Sequence, residues 1–193
     1  MSTPRILAFS GSLRQASFNQ AVVGIAADAA RAAGAEVTLI SLRDFDLPLF
    51  NEDIEAESGR PEAAARLIEL FRAHHGLLIG CPEYNSSISP ALKNAIDWVS
   101  RPTEGQPPLD CFDGKVAGLV AASPGGLGGL RGLTHVRAIL SSIKVIVHPN
   151  QAAVGGVHGQ LNEARNALAE ERLEKMVRSV GTDVAGLCRA LNR

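Results

Sequence analysis

The chain has 193 residues, of which 46% are hydrophobic and 20% are charged, and its formal net charge is −1. A chain of this length suits a single domain, residues 1–193, that buries a core without disulfides or metals. The near-neutral charge excludes nucleic acid and a membrane surface as partners, because binding to either would require a basic excess.

The three cysteines, Cys81, Cys111 and Cys188, are far apart and odd in number. They form no CxxC pair and share no ligand spacing with the histidines, so we expect reduced thiols, no metal site and a cytoplasmic location. The first residues lack the basic and apolar regions of a signal peptide. No apolar run approaches the roughly 20 residues that a membrane span requires.

Short apolar segments alternate with helical patterns along the chain. The first predicted strand, 5–10, precedes a helix at 19–33 that ends at Gly34. The later elements are a strand at 36–42, a helix at 61–74, strands at 77–81, 115–122 and 144–148, and helices at 90–100 and 130–143. One or two helices close the chain from residue 162 onward, with Gly181 or Gly186 as interruptions. Segments 47–60 and 101–114 are predicted to be long polar connections.

This order of elements predicts an α/β fold. Near-continuous apolar strands are typical of a parallel sheet that is covered on both faces. Five such strands with right-handed crossovers favour a flavodoxin-like, doubly wound sheet in the order 2-1-3-4-5, in three α/β/α layers. Ligands of such sheets bind beyond the carboxyl ends of the strands, where the strand order reverses. We therefore expect the site in the loops after the first, third and fourth strands.

The loop after the first strand, GSLRQASFN, leads directly into a helix. Free N–H groups at a helix start attract anions, Ser12, Ser17 and Asn19 add neutral donors, and Arg14 adds a charged fork. The loop matches neither GxxxxGK[ST] nor GxGxxG, which favours a monoester phosphate held without a metal. A helix cap formed by Ser17 or Asn19 alone is the alternative interpretation.

The loop after the third strand, CPEYNSSIS, mixes polar and aromatic residues and precedes the helical PALKNAIDW. Backbone groups and Asn85 could read the edge of a planar heteroaromatic ring, while Tyr84 offers a flat surface. We expect Trp98 to pack in the core. Lys93 and Asp97 have the (i, i+4) spacing of a helical ion pair.

The loop after the fourth strand, SPGGLGGLRG, is rich in glycine. Glycines allow a backbone to approach a ligand closely, which suits a loop beside a flat ring. Gly126 and Gly128 match only part of a dinucleotide-binding fingerprint, since the third glycine and the acidic residue are missing. Arg131 is predicted either to meet a nicotinamide phosphate or to be solvated.

Three of these segments, GSLRQASFN, PEYN with LKNAIDW, and SPGG, resemble the NADPH-dependent FMN reductase family, whose members have a flavodoxin-like fold and include flavin, quinone, azo-dye and chromate reductases. The resemblance covers residues from about 4 to 148. Family sequences often have Pro-Gly shortly before LKNA, whereas this chain has Ser89-Pro90-Ala91.

The resemblance implies an enzyme that binds FMN, is reduced by NADPH or NADH, and passes electrons to a small acceptor. It implies a homodimer or homotetramer with the flavin near a subunit boundary. It also implies the cofactor-binding residues. The phosphate would be held by Ser12, Arg14, Ser17 and Asn19 with the backbone of Phe18, and the isoalloxazine would lie between Pro82, Glu83, Tyr84 and Asn85 on one side and Ser123, Gly125 and Gly126 on the other.

No catalytic side chain is predicted, because the flavin carries the chemistry. His74 and His75 end a helix, where a cation is mildly favoured. Two alternatives remain at this stage. A flavodoxin-type electron carrier would be strongly acidic and rich in aromatic residues around the ring, unlike this chain. A regulatory FMN-binding module would keep the fold without turnover.

Overall fold

The computed structural model describes residues 2–191. These residues form seven strands in sequence order: β1 (Arg5–Ser10), β2 (Glu36–Leu39), β3 (Gly76–Gly80), β4 (Glu83–Tyr84), β5 (Ser87–Ile88), β6 (Val116–Ala122) and β7 (Ile146–Val154). Five of them form a parallel sheet in the order β2-β1-β3-β6-β7, and β4 and β5 form a separate hairpin. The predicted flavodoxin-like sheet with order 2-1-3-4-5 is confirmed.

The helices are α1 (Phe18–Ala32), α2 (Glu52–Ser58), α3 (Glu62–Ala73), α4 (Pro90–Val99), α5 (Leu130–Ser142) and α6 (Glu171–Leu191). Four of the predicted helices are therefore present within one or two residues of their expected bounds. None of the helices described is both long enough and apolar enough to cross a membrane.

Two hydrophobic layers cover the sheet. Along β1, Leu7 and Phe9 face the layer formed by α3, α4 and α5, whereas Ile6 and Ala8 face α1 and α6. All four side chains are at most 1% exposed. Because both faces of the central strands are buried, their sequences are apolar at every position and lack alternation. Trp98 is buried in the first layer, as predicted.

The fifth sheet strand is longer than predicted. The pattern predicted a strand at 144–148, but β7 runs from Ile146 to Val154 and includes Pro149. Since β7 is an edge strand, the missing N–H of Pro149 leaves no ladder bond unmade on the solvent side. A register shift against β6, between Ala117 and Leu119, lies beside this proline. The predicted strand therefore started two residues too early and ended six residues too early.

The segment predicted as the polar connection 47–60 contains a helix, α2. Its N-cap is Asn51, whose Oδ1 accepts a hydrogen bond from the Asp53 N–H at 2.8 Å, and it ends at Gly59 with φ 75°. No side chain of α2 is buried, so the sequence has no apolar period to reveal it. The preceding strand is also shorter than predicted, since β2 ends at Leu39 and a 3₁₀ turn follows at Leu42–Asp44.

The closing region contains one helix, not two, and it starts at Glu171 rather than near residue 162. Gly181 does not interrupt it. A Cβ at Gly181 would lie 1.9 Å from the carbonyl oxygen of Ala26 in α1, so this glycine allows the two helices to touch. The prediction of a break was wrong because a glycine in a helix can also serve close packing.

Candidate functional site

Three loops meet at the carboxyl ends of adjacent strands. β1 pairs with β3, and β3 pairs with β6, in parallel register. The loops that follow these strands therefore lie side by side. The chain crosses from β1 to β2 on one side and to β3 on the other, so β1 and β3 mark the point where the strand order reverses.

Serine hydroxyls accept backbone hydrogen bonds within the loop between β1 and α1. Ser10 Oγ accepts a hydrogen bond from the Ser12 N–H at 3.2 Å, and Ser12 Oγ accepts one from the Arg14 N–H at 3.3 Å. Ser17 is the N-cap of α1, and its Oγ accepts a bond from the Gln20 N–H at 3.1 Å. Ser17 therefore forms the helix cap that the alternative interpretation named, and this cap leaves its hydroxyl proton free for a ligand. The backbone N–H of Phe18 lies in the first turn of α1, where N–H groups have no intrahelical partner.

Asn19 has a different role from the one its sequence position suggests. Its Nδ2 donates to the Ala122 carbonyl oxygen at 2.9 Å, and its Oδ1 accepts from the Ala122 N–H at 2.9 Å. The side chain is only 6% exposed. This pair of bonds ties α1 to the end of β6 and uses one N–H and the oxygen of the side-chain amide. The backbone N–H of Asn19 lies at the start of α1, where it can face a ligand.

The loop after β3 forms the hairpin β4–β5, which the sequence did not predict. Its two-residue turn, Asn85-Ser86, has φ values of 49° and 67°, as a type I′ turn requires. Asn85 tolerates this left-handed conformation well, whereas Ser86 does so at some strain. The hairpin presents Tyr84 with 46% of its surface exposed.

Glu83 anchors this hairpin to α5. Its carboxylate accepts hydrogen bonds from Arg131 Nε at 2.9 Å, Arg131 Nη2 at 2.6 Å and the Gly132 N–H at 3.0 Å. Burial raises the pKa of this carboxyl, but the bonds from Gly132 and Arg131 outweigh burial and lower its pKa below the usual value. Arg131, predicted to meet a nicotinamide phosphate or to be solvated, is ion-paired here while 56% of its side chain remains exposed. A bond of 2.9 Å between His135 Nδ1 and Ser87 Oγ fixes the second strand of the hairpin.

The glycines after β6 divide into two groups. Gly125 and Gly126 have room beside them, since a Cβ at Gly126 would meet no atom within 4 Å and one at Gly125 would be in ordinary contact with Ser123 Oγ at 3.6 Å. Gly128 has φ 62°, and a Cβ there would lie 2.7 Å from the backbone of Val154. Gly128 therefore serves packing against the end of β7, while Gly125 and Gly126 leave their backbone accessible. Ser123 Oγ accepts from the Gly125 N–H at 3.2 Å and shapes the turn.

A pocket of 90 Å³ lies where the three loops meet. It borders a pocket of 380 Å³, with Arg14 and Tyr84 lining both. The structure does not place Asn85, Gly125 or Gly126 on the smaller pocket. The predicted residues that do line it are Ser12, Arg14, Ser17, Phe18, Asn19, Pro82, Glu83, Tyr84 and Ser123.

Two basic residues near the site were missed by the sequence analysis. Arg165 and His158 come from the segment between β7 and α6 and contact the ring of Phe18. Arg14 contacts the same ring, with its Cζ 5.6 Å from the centroid. No periodicity or motif marks residues 155–170, so the sequence offered no signal that they reach the loop after β1.

Comparison with known proteins gives one family. The chain matches the family described as NADPH-dependent FMN reductase over residues 4–159. It is 41% identical over 145 residues to an NAD(P)H-dependent FMN reductase of Pseudomonas aeruginosa, with 75% of this chain and 72% of that protein covered. It is 35% identical over 157 residues to a quinone reductase of Escherichia coli, with 79% and 78% covered.

Solved structures agree with the fold. The flavoenzyme NAD(P)H:(acceptor) oxidoreductase FerB of Paracoccus denitrificans superposes with a TM-score of 0.81 and 25% sequence identity, covering 97% of this chain and 98% of that one. An archaeal flavodoxin superposes with a TM-score of 0.61 and 8% identity, and this likeness concerns the fold alone.

Proposed function

This chain belongs to the NADPH-dependent FMN reductase family, and on that premise we propose that it passes electrons from NAD(P)H through FMN to a small acceptor. Membership makes the chain an NAD(P)H-dependent oxidoreductase with FMN as its cofactor. The observation that carries the proposal is the pocket at the reversal of strand order, where residues from all three loops converge. We propose that this pocket is the phosphate end of the flavin site.

The phosphate end fits a monoester dianion. The start of α1 supplies the N–H groups of Phe18 and Asn19 and the positive end of the helix dipole. Arg14 supplies a charge that can form two parallel hydrogen bonds to phosphate oxygens. The hydroxyls of Ser12 and Ser17 line the same pocket and can donate their protons to those oxygens.

The ring end fits a flat, partly exposed group. Tyr84 forms the boundary between the 90 Å³ and 380 Å³ pockets, and the uncovered backbone at Gly125 and Gly126 could approach a ring closely. When bound there, FMN supplies hydride and electron transfer, and the protein supplies binding and orientation. Glu83 holds the hairpin that carries Tyr84 in place, because its carboxylate is bonded to α5.

We propose that the acceptor is a small molecule such as a flavin, quinone, azo dye or chromate. The exposed Tyr84 leaves room on one side of the proposed ring position, which favours a small acceptor that binds and departs there. The quinone reductases among the relatives support the same choice. All three cysteines are free and buried, which supports the proposed cytoplasmic location.

We also propose that the protein acts as a homodimer or homotetramer. Leu49 is 79% exposed and Leu13 is 54% exposed, and Leu13 lies on the loop that forms the proposed phosphate end. An exposed leucine on a loop that lines a binding pocket, as Leu13 is, suits a surface that another subunit covers. Sedimentation analysis at micromolar concentration would test this, and a monomer with and without FMN would contradict it.

The direct test is a visible absorbance spectrum of the purified protein with FMN, followed by anaerobic addition of NADPH. The proposal predicts flavin absorbance that elutes with the protein, bleaches on addition of NADPH and returns when a quinone is added. Flavin that binds but is not bleached by NADPH would contradict the reductase proposal and favour an electron carrier. Failure to bind FMN would contradict the proposed site itself.

A further inference from the structure

We infer that Arg165 is a positioning residue for the cofactor phosphate, and that it makes the site select phosphorylated flavin over riboflavin. The inference rests on the proposed FMN site and extends it to the C-terminal part of the chain. Arg165 lies in the segment between β7 and α6, 147 positions after Phe18 and outside the loops that form the pocket.

The segment that carries Arg165 is a well-formed loop. An antiparallel bridge joins Leu161 to Leu168, and the Asn162 N–H donates to the Ala167 carbonyl oxygen at 3.1 Å. Asn162 Oδ1 accepts hydrogen bonds from the backbone N–H of Asn166 at 3.0 Å and of Ala167 at 3.3 Å. Arg165 occupies the turn of this loop with φ 57°. The loop therefore holds the arginine in one place without any regular secondary structure.

Arg165 reaches the loop between β1 and α1 by two contacts. Its Nη2 donates to the Ala16 carbonyl oxygen at 3.1 Å, and its Cζ lies 5.0 Å from the centroid of the Phe18 ring. Phe18 also contacts Arg14 and, edge to face at 4.7 Å, His158. These contacts bracket Ser17 and fix the backbone on both sides of the cap of α1, whose free N–H groups face the proposed phosphate.

The charges around Phe18 are not balanced by the protein. Two guanidinium groups lie against one ring at the positive end of the α1 dipole. In the part of the chain that the structure describes, the ion pairs involve other arginines and lysines, and neither Arg14 nor Arg165 has a carboxylate partner. Like charges gathered in this way repel one another unless an anion lies between or beside them. A phosphate dianion bound at the start of α1 supplies that compensation.

Because of this arrangement, loss of Arg14 and loss of Arg165 should affect flavin binding differently. Arg14 lines the pocket and would touch the phosphate, whereas Arg165 acts through the Ala16 carbonyl, the Phe18 ring and its charge. Loss of Arg165 should weaken the binding of FMN and leave the binding of riboflavin, which has no phosphate, nearly unchanged. A residue with a merely structural role would weaken both ligands by the same factor.

The test compares four proteins: the natural chain, Arg165→Asn, Arg165→Lys and the control Arg172→Asn. Asparagine tolerates the left-handed backbone of the turn, so Arg165→Asn removes the charge without adding strain. Lysine keeps the charge and loses the planar fork. Arg172 is an exposed arginine on α6 and controls for the loss of one positive charge. The readouts are the dissociation constants of FMN and riboflavin by fluorescence quenching, and the salt dependence of FMN binding.

We expect Arg165→Asn to bind FMN about tenfold more weakly, with riboflavin within twofold, because one partly exposed charge near a dianion is lost. Its FMN affinity should also depend less steeply on salt, and Arg165→Lys should recover part of the loss. Arg172→Asn should match the natural chain. An unchanged affinity for FMN, or an equal loss for both ligands, would overturn the inference while leaving the FMN site intact. A natural chain that does not distinguish FMN from riboflavin would overturn the proposed phosphate site as well.

Discussion

At the carboxyl ends of the strands, Arg14 and Arg165 lie against one phenylalanine ring with no carboxylate partner in the described chain, whereas at the amino ends a lysine is buried and engaged. Lys115 is 8% exposed, and its Nζ donates to the His74 carbonyl oxygen. Burial is the main cause that lowers the pKa of Lys115. The same sheet thus carries an open positive site at one end and a buried lysine bonded to a carbonyl oxygen at the other. The difference teaches that a basic residue indicates a ligand where it faces an open pocket, as Arg14 does, and not where it is buried against a protein carbonyl, as Lys115 is.

The histidines at the amino end resemble Lys115, because the protein itself supplies their hydrogen-bond partners. His74 Nδ1 lies 2.6 Å from the Leu70 carbonyl oxygen, which can only accept, so Nδ1 carries the proton and Nε2 accepts from the Thr38 hydroxyl at 2.8 Å. His75 Nδ1 accepts from the Arg5 N–H at 3.1 Å. Burial lowers the pKa of both histidines. The lowered pKa values run against the expectation of a favoured cation at this helix end, because burial disfavours the charged ring.

The largest expected effect is a loss of stability from a steric clash at the carboxyl ends of the strands. Gly128→Ala places a Cβ 2.7 Å from the backbone of Val154 at a φ of 62°, and should lower the free energy of unfolding by about 3 kcal/mol. Gly126→Ala is the matched control, since its Cβ would meet no atom within 4 Å. Urea unfolding measures both. Equal effects of the two substitutions would show that the two glycines are not distinguished by packing.

The second prediction concerns the loss of the positive charge of Arg14 at the proposed phosphate end. Arg14→Ala should weaken FMN binding by about 2 kcal/mol, because a charge-assisted bond to phosphate is lost, and should leave the free energy of unfolding nearly unchanged. Lys115→Met at the opposite end should leave FMN affinity unchanged. Isothermal titration with FMN measures both variants. A loss of affinity in Lys115→Met that matched the loss in Arg14→Ala would contradict the separation of the two ends.

The smallest effect concerns pH at the amino end. The folded pKa of His74 and His75 is below the ordinary value of 6.5, so the unfolded chain binds more protons just below that pH. The free energy of unfolding should therefore fall as the pH drops below the ordinary pKa of 6.5, because the unfolded chain takes up protons that the folded chain does not. The lowered pKa values of Glu83 and Glu174 affect the free energy of unfolding only near or below pH 4.5.

His74→Gln isolates this effect. The variant keeps polar atoms near Leu70 and Thr38 but cannot titrate in this range, so the fall in its unfolding free energy between pH 7 and 5 should be smaller than that of the natural chain. Urea unfolding at the two pH values provides the comparison. An identical pH dependence in both proteins would show that His74 does not remain neutral in the fold.

Most of the fold could be predicted because its central strands are buried on both faces. β1, β3 and β6 have continuous apolar runs and end at loops with clear turn residues. The errors have physical reasons. An edge strand tolerates Pro149, α2 buries no side chain, and Gly181 permits a close helix contact instead of a break. Each depends on the tertiary neighbours of a residue, which local patterns do not report.

The sequence predicted which loops form the site but not what each side chain does there. The motifs placed Ser12, Arg14 and Tyr84 near one pocket, and the structure brings them together. The amide of Asn19 is engaged by Ala122, and the carboxylate of Glu83 is bonded to α5. Those partners lie far along the chain, at separations that no local pattern reveals. Arg165 was missed for the same reason.

A crystal structure of the protein with FMN would test the central claim most directly. The account predicts the phosphate at the start of α1, with its oxygens bonded to the Phe18 and Asn19 N–H groups and to Arg14, and the ring between the β4–β5 hairpin and Gly125-Gly126. A phosphate bound elsewhere, for example in the 350 Å³ pocket beside Leu42 and Phe45, would contradict the account.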